Sequence, residues 1–315
     1  MSTDASVGTL FAALQDKLAL RWIGSRLGES RLIKVSAAEH TGTELVGHLN
    51  LIHPNRVQIL GSAEIEYLNR LGENTRRNLI NQLFDGQTEL IVIGDNEQIP
   101  DDIRRRTEAS LTPVFTSEQS TPQLVNYLQY YLTSLFAEKL TLHGVFMEVF
   151  SLGMLITGDP SVGKSELALE LLARGHRLVA DDAPLFAKTA PDILNGRCPE
   201  ILRDFLEVRG LGILNVRAMF GDSAIKQNRN LRLILKLVPM SEEQMHRIDR
   251  LHGARSTQTI LGVEIPEITL PVAPGRNLAV LAEAAARNHT LLLKGFDSAR
   301  LFMERQSRYM ENNTP

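Results

Sequence analysis

Gly158-Asp159-Pro160-Ser161-Val162-Gly163-Lys164-Ser165 carries the spacing GxxxxGK[ST]. At ordinary glycine usage, a chain of this length would hold that string by accident about once in a hundred cases. Each position has a chemical reason. The glycines let the backbone curl so that its N–H groups point at phosphate oxygens, and a helix start behind them adds partial positive charge. Lys164 would reach the β- and γ-phosphates, and the Ser165 hydroxyl would ligate Mg²⁺. The chain is therefore expected to bind a nucleoside triphosphate or a similar polyphosphate.

Two further stretches could act on such a ligand. Arg177-Leu178-Val179-Ala180 reads as a strand ending in Asp181-Asp182. A carboxylate at such a strand end usually faces the metal or its water. Adjacent residues on a strand face opposite ways, so either one aspartate serves the metal while the other abstracts a proton, or one is functional and the other is a turn or cap residue. The second stretch is Leu206-Glu207-Val208-Arg209-Gly210-Leu211-Gly212-Ile213-Leu214-Asn215. Its two glycines flanking Leu211 predict a backbone that approaches something closely, and Glu207 is a second carboxylate for Mg²⁺. Gly210-Leu211-Gly212 lacks the third glycine of a dinucleotide fingerprint. Neither an Asn-Lys-x-Asp guanine-reading motif nor a Leu-Ser-Gly-Gly-Gln signature occurs. A kinase-like or hydrolase-like phosphate-loop enzyme is left.

These residues need elements to hold them. Met154–157 reads as a strand leading into the phosphate loop, with a helix over 164–173 leading out and closed by Gly175. A strand over 145–150 precedes it. Further on come a strand at 231–237, a helix at 278–287, a strand at 290–293 and a terminal helix after Asp297, whose Leu301, Phe302, Arg305, Arg308 and Tyr309 suit packing or partner contact. The first third reads as a small α/β unit. It has a helix over 9–22, strands at 57–60 and 90–93, and helices between them broken near Gly72. Arg104-Arg105-Arg106 lies on a solvated helix face. Thr121 caps a helix with Pro122 at its first position, and this helix leads to a boundary near residue 135. The fold class is α/β: a small N-terminal domain over 1–135, then a phosphate-loop α/β domain with a central sheet over 136–315.

Composition sets the outer bounds. The 315 residues are 43% hydrophobic and 23% charged, with 34 basic against 37 acidic side chains and a net charge of −3. That balance argues against a broad nucleic-acid surface. A single cysteine, Cys198, excludes an intrachain disulfide and fits a reducing compartment. No apolar stretch approaches a membrane span and the N-terminus lacks signal-peptide character, so a cytoplasmic protein is expected.

Together the segments resemble the HPr kinase/phosphorylase family, bacterial enzymes acting on a serine of the phosphocarrier protein HPr. The matching stretches are 141–145, the phosphate loop with 166–170, 174–182, 207–216, 271–277 and, in the first domain, 56–61. The resemblance implies phosphorylation of HPr by ATP with Mg²⁺, and the reverse phosphorolysis by inorganic phosphate that yields pyrophosphate. It makes Asp182 the base and acid, with Asp181 able to exchange roles, and pairs His143 with the aspartate. It gives Lys164 phosphate charge to neutralise and has Ser165 and Glu207 hold Mg²⁺. Arg250, next to Asp249, would stabilise the equatorial oxygens, with Arg247 its competitor. Pro271, Val272, Ala273, Pro274, Gly275 and Arg276 match a loop tied to the dephosphorylating direction, Arg276 being the phosphate ligand. Ala273 stands where many members carry arginine. Homohexamers with central phosphate-loop domains are also implied. The alternative is a small-molecule phosphate-loop kinase or a carboxykinase-like enzyme.

Overall fold

The structure is a computed structural model and describes residues 5–34, 45–241 and 253–312. The chain divides into two compact units, Met1–Ala137 and Glu138–Pro315.

In the first unit the described elements are β1 (Ala5–Ser6), α1 (Val7–Leu14), β2 (Arg21–Ile23), β3 (Leu32–Ile33), β4 (Val46–His48), β5 (Val57–Leu60), α2 (Ser62–Arg70), α3 (Glu73–Asp85), β6 (Leu90–Ile93), α4 (Asp101–Glu108), β7 (Val114–Thr116) and α5 (Thr121–Phe136). Five strands form a sheet in the order β2-β7-β6-β5-β4. Strands β4 to β7 are parallel and β2 is antiparallel at the edge. Every residue of β5 and β6 is buried, as expected for strands covered on both faces. Helices α1 and α5 pack on one face through Leu10, Leu14, Leu124 and Leu128. Helices α2 to α4 pack on the other through Leu68, Leu83 and Ile103.

Two helix boundaries differ from expectation. The helix expected over 9–22 ends at Leu14, because Ala19 takes φ 48° and the chain enters β2. Leu18 and Trp22 keep the apolar spacing but from a turn and a strand, and Trp22 stacks at 4.9 Å on Phe115. Ser120, not Thr121, caps α5. The Thr121 hydroxyl instead donates to Asp95 Oδ2 at 2.6 Å.

The second unit contains β8 (Lys139–Thr141), β9 (Val145–Val149), β10 (Leu152–Gly158), α6 (Lys164–Ala173), β11 (Arg177–Ala180), β12 (Leu185–Ala190), β13 (Ile193–Arg197), β14 (Phe205–Val208), β15 (Gly212–Asn215), α7 (Val216–Phe220), β16 (Asn228–Pro239), β17 (Arg255–Ile260), β18 (Val263–Val272), α8 (Leu278–Leu293) and α9 (Ser298–Asn312). Its main sheet runs β11-β9-β10-β16-β13-β12-β8, with β18 paired to β16 and β17. Strand β16 serves two neighbourhoods. Residues 228–230 pair antiparallel with β13, and the rest runs parallel between β10 and β18. Antiparallel β9 separates β10 from β11, so β11 runs parallel to β10. The C-terminal ends of β11, β10, β16 and β18 therefore share one edge, where open α/β sheets bind ligands.

Helices α6 and α8 lie on one face and bury Leu167, Leu171, Ala279, Ala282 and Ala286 with β10 and β16. The strand expected at 290–293 is the last turn of α8. The buried spacing Ala282, Ala286, His289 continues through it, and the Thr290 hydroxyl bonds back to Ala286 O at 2.9 Å.

Candidate active site

Strand β10 delivers Gly158 to the catalytic edge at φ 143°. A Cβ there would lie 2.5 Å from Leu237 O, so β16 leaves room only for glycine. Gly163, at φ 101°, turns the loop into α6, whose first residues, 164–166, line the hollow; the first N–H groups of a helix have no partner within it. Val162 is buried in the core and anchors the loop from beneath. Lys164 Nζ donates to Gly158 O and Asp159 O, both at 2.9 Å, which holds the ammonium across the loop's mouth. Ser165 is half-buried one residue into the helix.

The two aspartates part ways at the end of β11. Asp181 turns inward, 8% exposed, and its Oδ2 accepts the Glu207 N–H at 2.8 Å. Burial holds its carboxyl above the usual aspartate range, against the amides of Glu207 and Asp182; the neighbouring charges of Asp182 and Glu207 act in the same direction as burial. Asp182 sits at φ 62° and turns outward. That left-handed residue breaks the strand alternation. Asp182 O accepts the Gly144 N–H at 3.2 Å, which ties the strand end to the entry of β9. Asp182 Oδ1 then lies 3.5 Å from His143 Nδ1, and both side chains are exposed.

The segment 206–215 is a hairpin of β14 and β15. Leu206 and Val208 bury under α6, while Glu207 and Arg209 face the other way. Its base is pinned by Arg217, which donates to Asp204 at 2.7 and 3.1 Å. Among the described residues nothing lies within 4 Å of a Cβ built on Gly210 or Gly212, so the close approach expected at these glycines is not to a neighbouring part of the described protein. Their φ values of 88° and 85° explain them: they make the turn. Arg209 Nη1 donates to Ser161 Oγ in the phosphate loop.

His143, Lys164, Ser165, Asp181, Asp182, Glu207 and Arg209 all line one cavity of about 800 Å³ with the phosphate loop. Among the described residues, no three His, Cys, Asp or Glu side chains are grouped to hold a metal by themselves. The Ser165 hydroxyl and the Glu207 carboxylate line this cavity, and both are oxygen donors of the kind a hard divalent cation takes alongside phosphate oxygens and water. The 271–276 stretch leaves β18 on the same edge, two strand spacings (roughly 10 Å) from β10. Arg276 is exposed there and is not among the cavity's lining residues. Arg247, Asp249 and Arg250 lie outside the described residues.

The family described as HPr Serine kinase N terminus matches residues 5–132, and HPr Serine kinase C-terminal domain matches 134–306. The chain belongs to the HPr kinase/phosphorylase family. HPr kinase/phosphorylases of Xanthomonas campestris pv. campestris (strain B100) and Xylella fastidiosa (strain M12) are each 49% identical to it over 316 residues, covering 100% of both chains. A solved structure, the Hpr(Ser) kinase/phosphatase from Coxiella burnetii, is 37% identical, covers 52% of this chain and 98% of its own, and has a TM-score of 0.45. The family is one of protein kinases with phosphorylase activity, and this chain is such an enzyme. No helix among its described residues is long and apolar enough to cross a membrane.

Proposed function

We propose that this chain transfers the γ-phosphoryl group of ATP, with Mg²⁺, to a serine of HPr, and also runs phosphorolysis of the phosphoserine. One observation carries the reading. An exposed carboxylate, Asp182, stands beside His143 in the cavity that the phosphate loop and Lys164 also line.

The division of labour follows from burial. Asp181 is turned into the core with its Oδ2 on the Glu207 amide, whereas Asp182 is open to an incoming hydroxyl. Asp182 accepts the serine proton as the serine oxygen bonds to the γ-phosphorus and the bond to ADP breaks. His143 is close enough to hold Asp182 in position. The loop amides and Lys164 neutralise the phosphates. Ser165 and Glu207 would hold Mg²⁺, which when bound draws charge from the phosphate oxygens. In reverse, an oxygen of inorganic phosphate bonds to the phosphoserine phosphorus and the serine oxygen departs. Asp182 returns the proton to that oxygen, and pyrophosphate is released. Arg276 is the side chain we assign to the attacking phosphate, because its planar fork matches two oxygens. Assembly as a homohexamer belongs to the same reading and is tested by sedimentation.

The deciding experiment incubates the full chain with ATP, Mg²⁺ and HPr of the same organism, then phospho-HPr with inorganic phosphate. Serine phosphorylation and pyrophosphate release are expected. Turnover of a metabolite with neither protein reaction would overturn the reading in favour of a small-molecule kinase.

A further inference from the structure

Arg209 is a cation without a carboxylate. Among the described residues it forms no ion pair, and its one hydrogen bond runs from Nη1 to the Ser161 hydroxyl. A guanidinium carries five donors in a fixed plane. One arm therefore rests on the phosphate loop, and Nε and Nη2 are left over in a cavity built for polyphosphate.

Its support is rigid. The preceding strand is sewn to the end of β11 by the Glu207 amide on Asp181. Leu206 and Val208 are packed into the core cluster that also holds the phosphate-loop helix. Ser161 itself sits at φ 66° within the loop, so the hydroxyl that meets Arg209 is set by the same backbone that curls round the phosphates. A cation held ready in this way needs no reorganisation when negative charge builds up between donor and acceptor oxygens.

We propose that Arg209 is a further catalytic residue, whose guanidinium bears on the oxygens of the phosphoryl group in transfer while Ser161 Oγ orients it. The proposal rests on the phosphoryl-transfer reading above. It gives the hairpin, which already brings Glu207 to the cavity, a direct part in the transfer.

The test uses the full chain as Arg209→Ala, Arg209→Lys and Ser161→Ala. Arg209→Ala is expected to lower kcat for HPr phosphorylation by about 100-fold or more, with KM for ATP within about twofold and an unchanged melting temperature. Arg209→Lys should recover only a small part, because an ammonium lacks the fork. Ser161→Ala should fall between wild type and Arg209→Ala. Free guanidinium ion should partly restore Arg209→Ala. A second arm needs no acceptor protein: Mg-ADP binding is measured with and without aluminium fluoride, which mimics the phosphoryl in flight. Wild type should bind more tightly with fluoride, and Arg209→Ala should lose that gain while keeping its affinity for ADP. An Arg209→Ala enzyme with wild-type kcat, or one whose loss tracks a lower melting temperature, overturns the proposal. Because the fluoride arm is independent of HPr, a failure of HPr as substrate and a failure of Arg209 are told apart.

Discussion

His143 and Asp182 stand 3.5 Å apart with side chains 91% and 76% exposed, whereas His176 and Glu283 stand 2.9 Å apart and are 6% and 16% exposed. The two histidine–carboxylate pairs belong to the same unit and share a chemistry. Their surroundings assign them different work. Water screens the first pair, so it adds little to stability and stays open to protons and substrate. The second is a clamp. Arg174 donates to Glu283 through Nε at 2.9 Å and Nη2 at 2.5 Å, while the Phe150 ring meets His176 edge-on at 4.7 Å. Arg287, one turn beyond Glu283 on α8, covers the Phe150 face at 3.8 Å. The exit of α6 is thereby locked to α8, and both helices begin on the catalytic edge. The Arg174 hydrogen bonds hold the Glu283 carboxyl down at about 2, with help from His176 and against burial. Within the one stretch 174–182, the basic start is structural and the acidic end is the part proposed for chemistry.

The comparison breaks if variants of the two pairs have the same consequence. Asp182→Asn should cost about 1,000-fold in kcat in both reaction directions and leave the melting temperature unchanged, as activity assays and thermal melts would show. Glu283→Ala should do the opposite, lowering the melting temperature by roughly 5–10 °C with kcat within about twofold at 25 °C. A large kcat loss without a melting shift would erase the distinction. The clamp also has a pH signature. Because folding depresses the Glu283 pKa from 4.5 to about 2, its contribution is complete above about pH 4.5 and is lost as pH falls toward 2. The urea midpoints of wild type and Glu283→Gln should therefore converge over that interval.

Two smaller effects sharpen the contrast. His143→Gln should slow turnover about tenfold with stability intact, as read from kcat and a melt. Asp181→Asn should raise the melting temperature at neutral pH by about 1–2 °C. Burial raises the Asp181 pKa above 3.8, so its charge opposes folding above that pH and not below it. The asparagine oxygen can still accept the Glu207 amide. The gain should vanish as pH falls below the ordinary aspartate range.

The elements nearest the chemistry were legible in the sequence because their signals are local. β10, α6 and β11 each combine buried apolar positions with a glycine or aspartate stop, and β9 is a buried apolar run that turns at Phe150-Ser151. β17 carries no strand signal in the sequence because Arg255-Ser256-Thr257-Gln258-Thr259 is polar and exposed. β18 was masked by Pro266 and Pro271. Val263 to Pro266 pair with β17 only, and Leu270 to Val272 with β16 only, so each proline falls where one side of the strand needs no N–H. At 290–293 a leucine run reads as a strand, but among the described residues no strand offers it a ladder and the helical face continues. Arg209 stood inside a stretch already marked for chemistry, yet its charge alone did not single it out. The contact that does so is with Ser161, 48 residues away.

Short-range order was thus written in the chain itself: a loop that must curl at Gly158 and Gly163, carboxylates at a strand end, and lysine and serine at a helix start. Those features depend on backbone geometry within a few residues, which side-chain type controls directly. Pairing across the unit decided the rest. The hairpin's amide drew Asp181 inward, a left-handed turn sent Asp182 outward, and packing under α6 aimed Arg209 at the phosphate loop. Which of two adjacent aspartates meets a substrate depends on what arrives from distant sequence to occupy the other, and only the assembled fold brings that partner within reach.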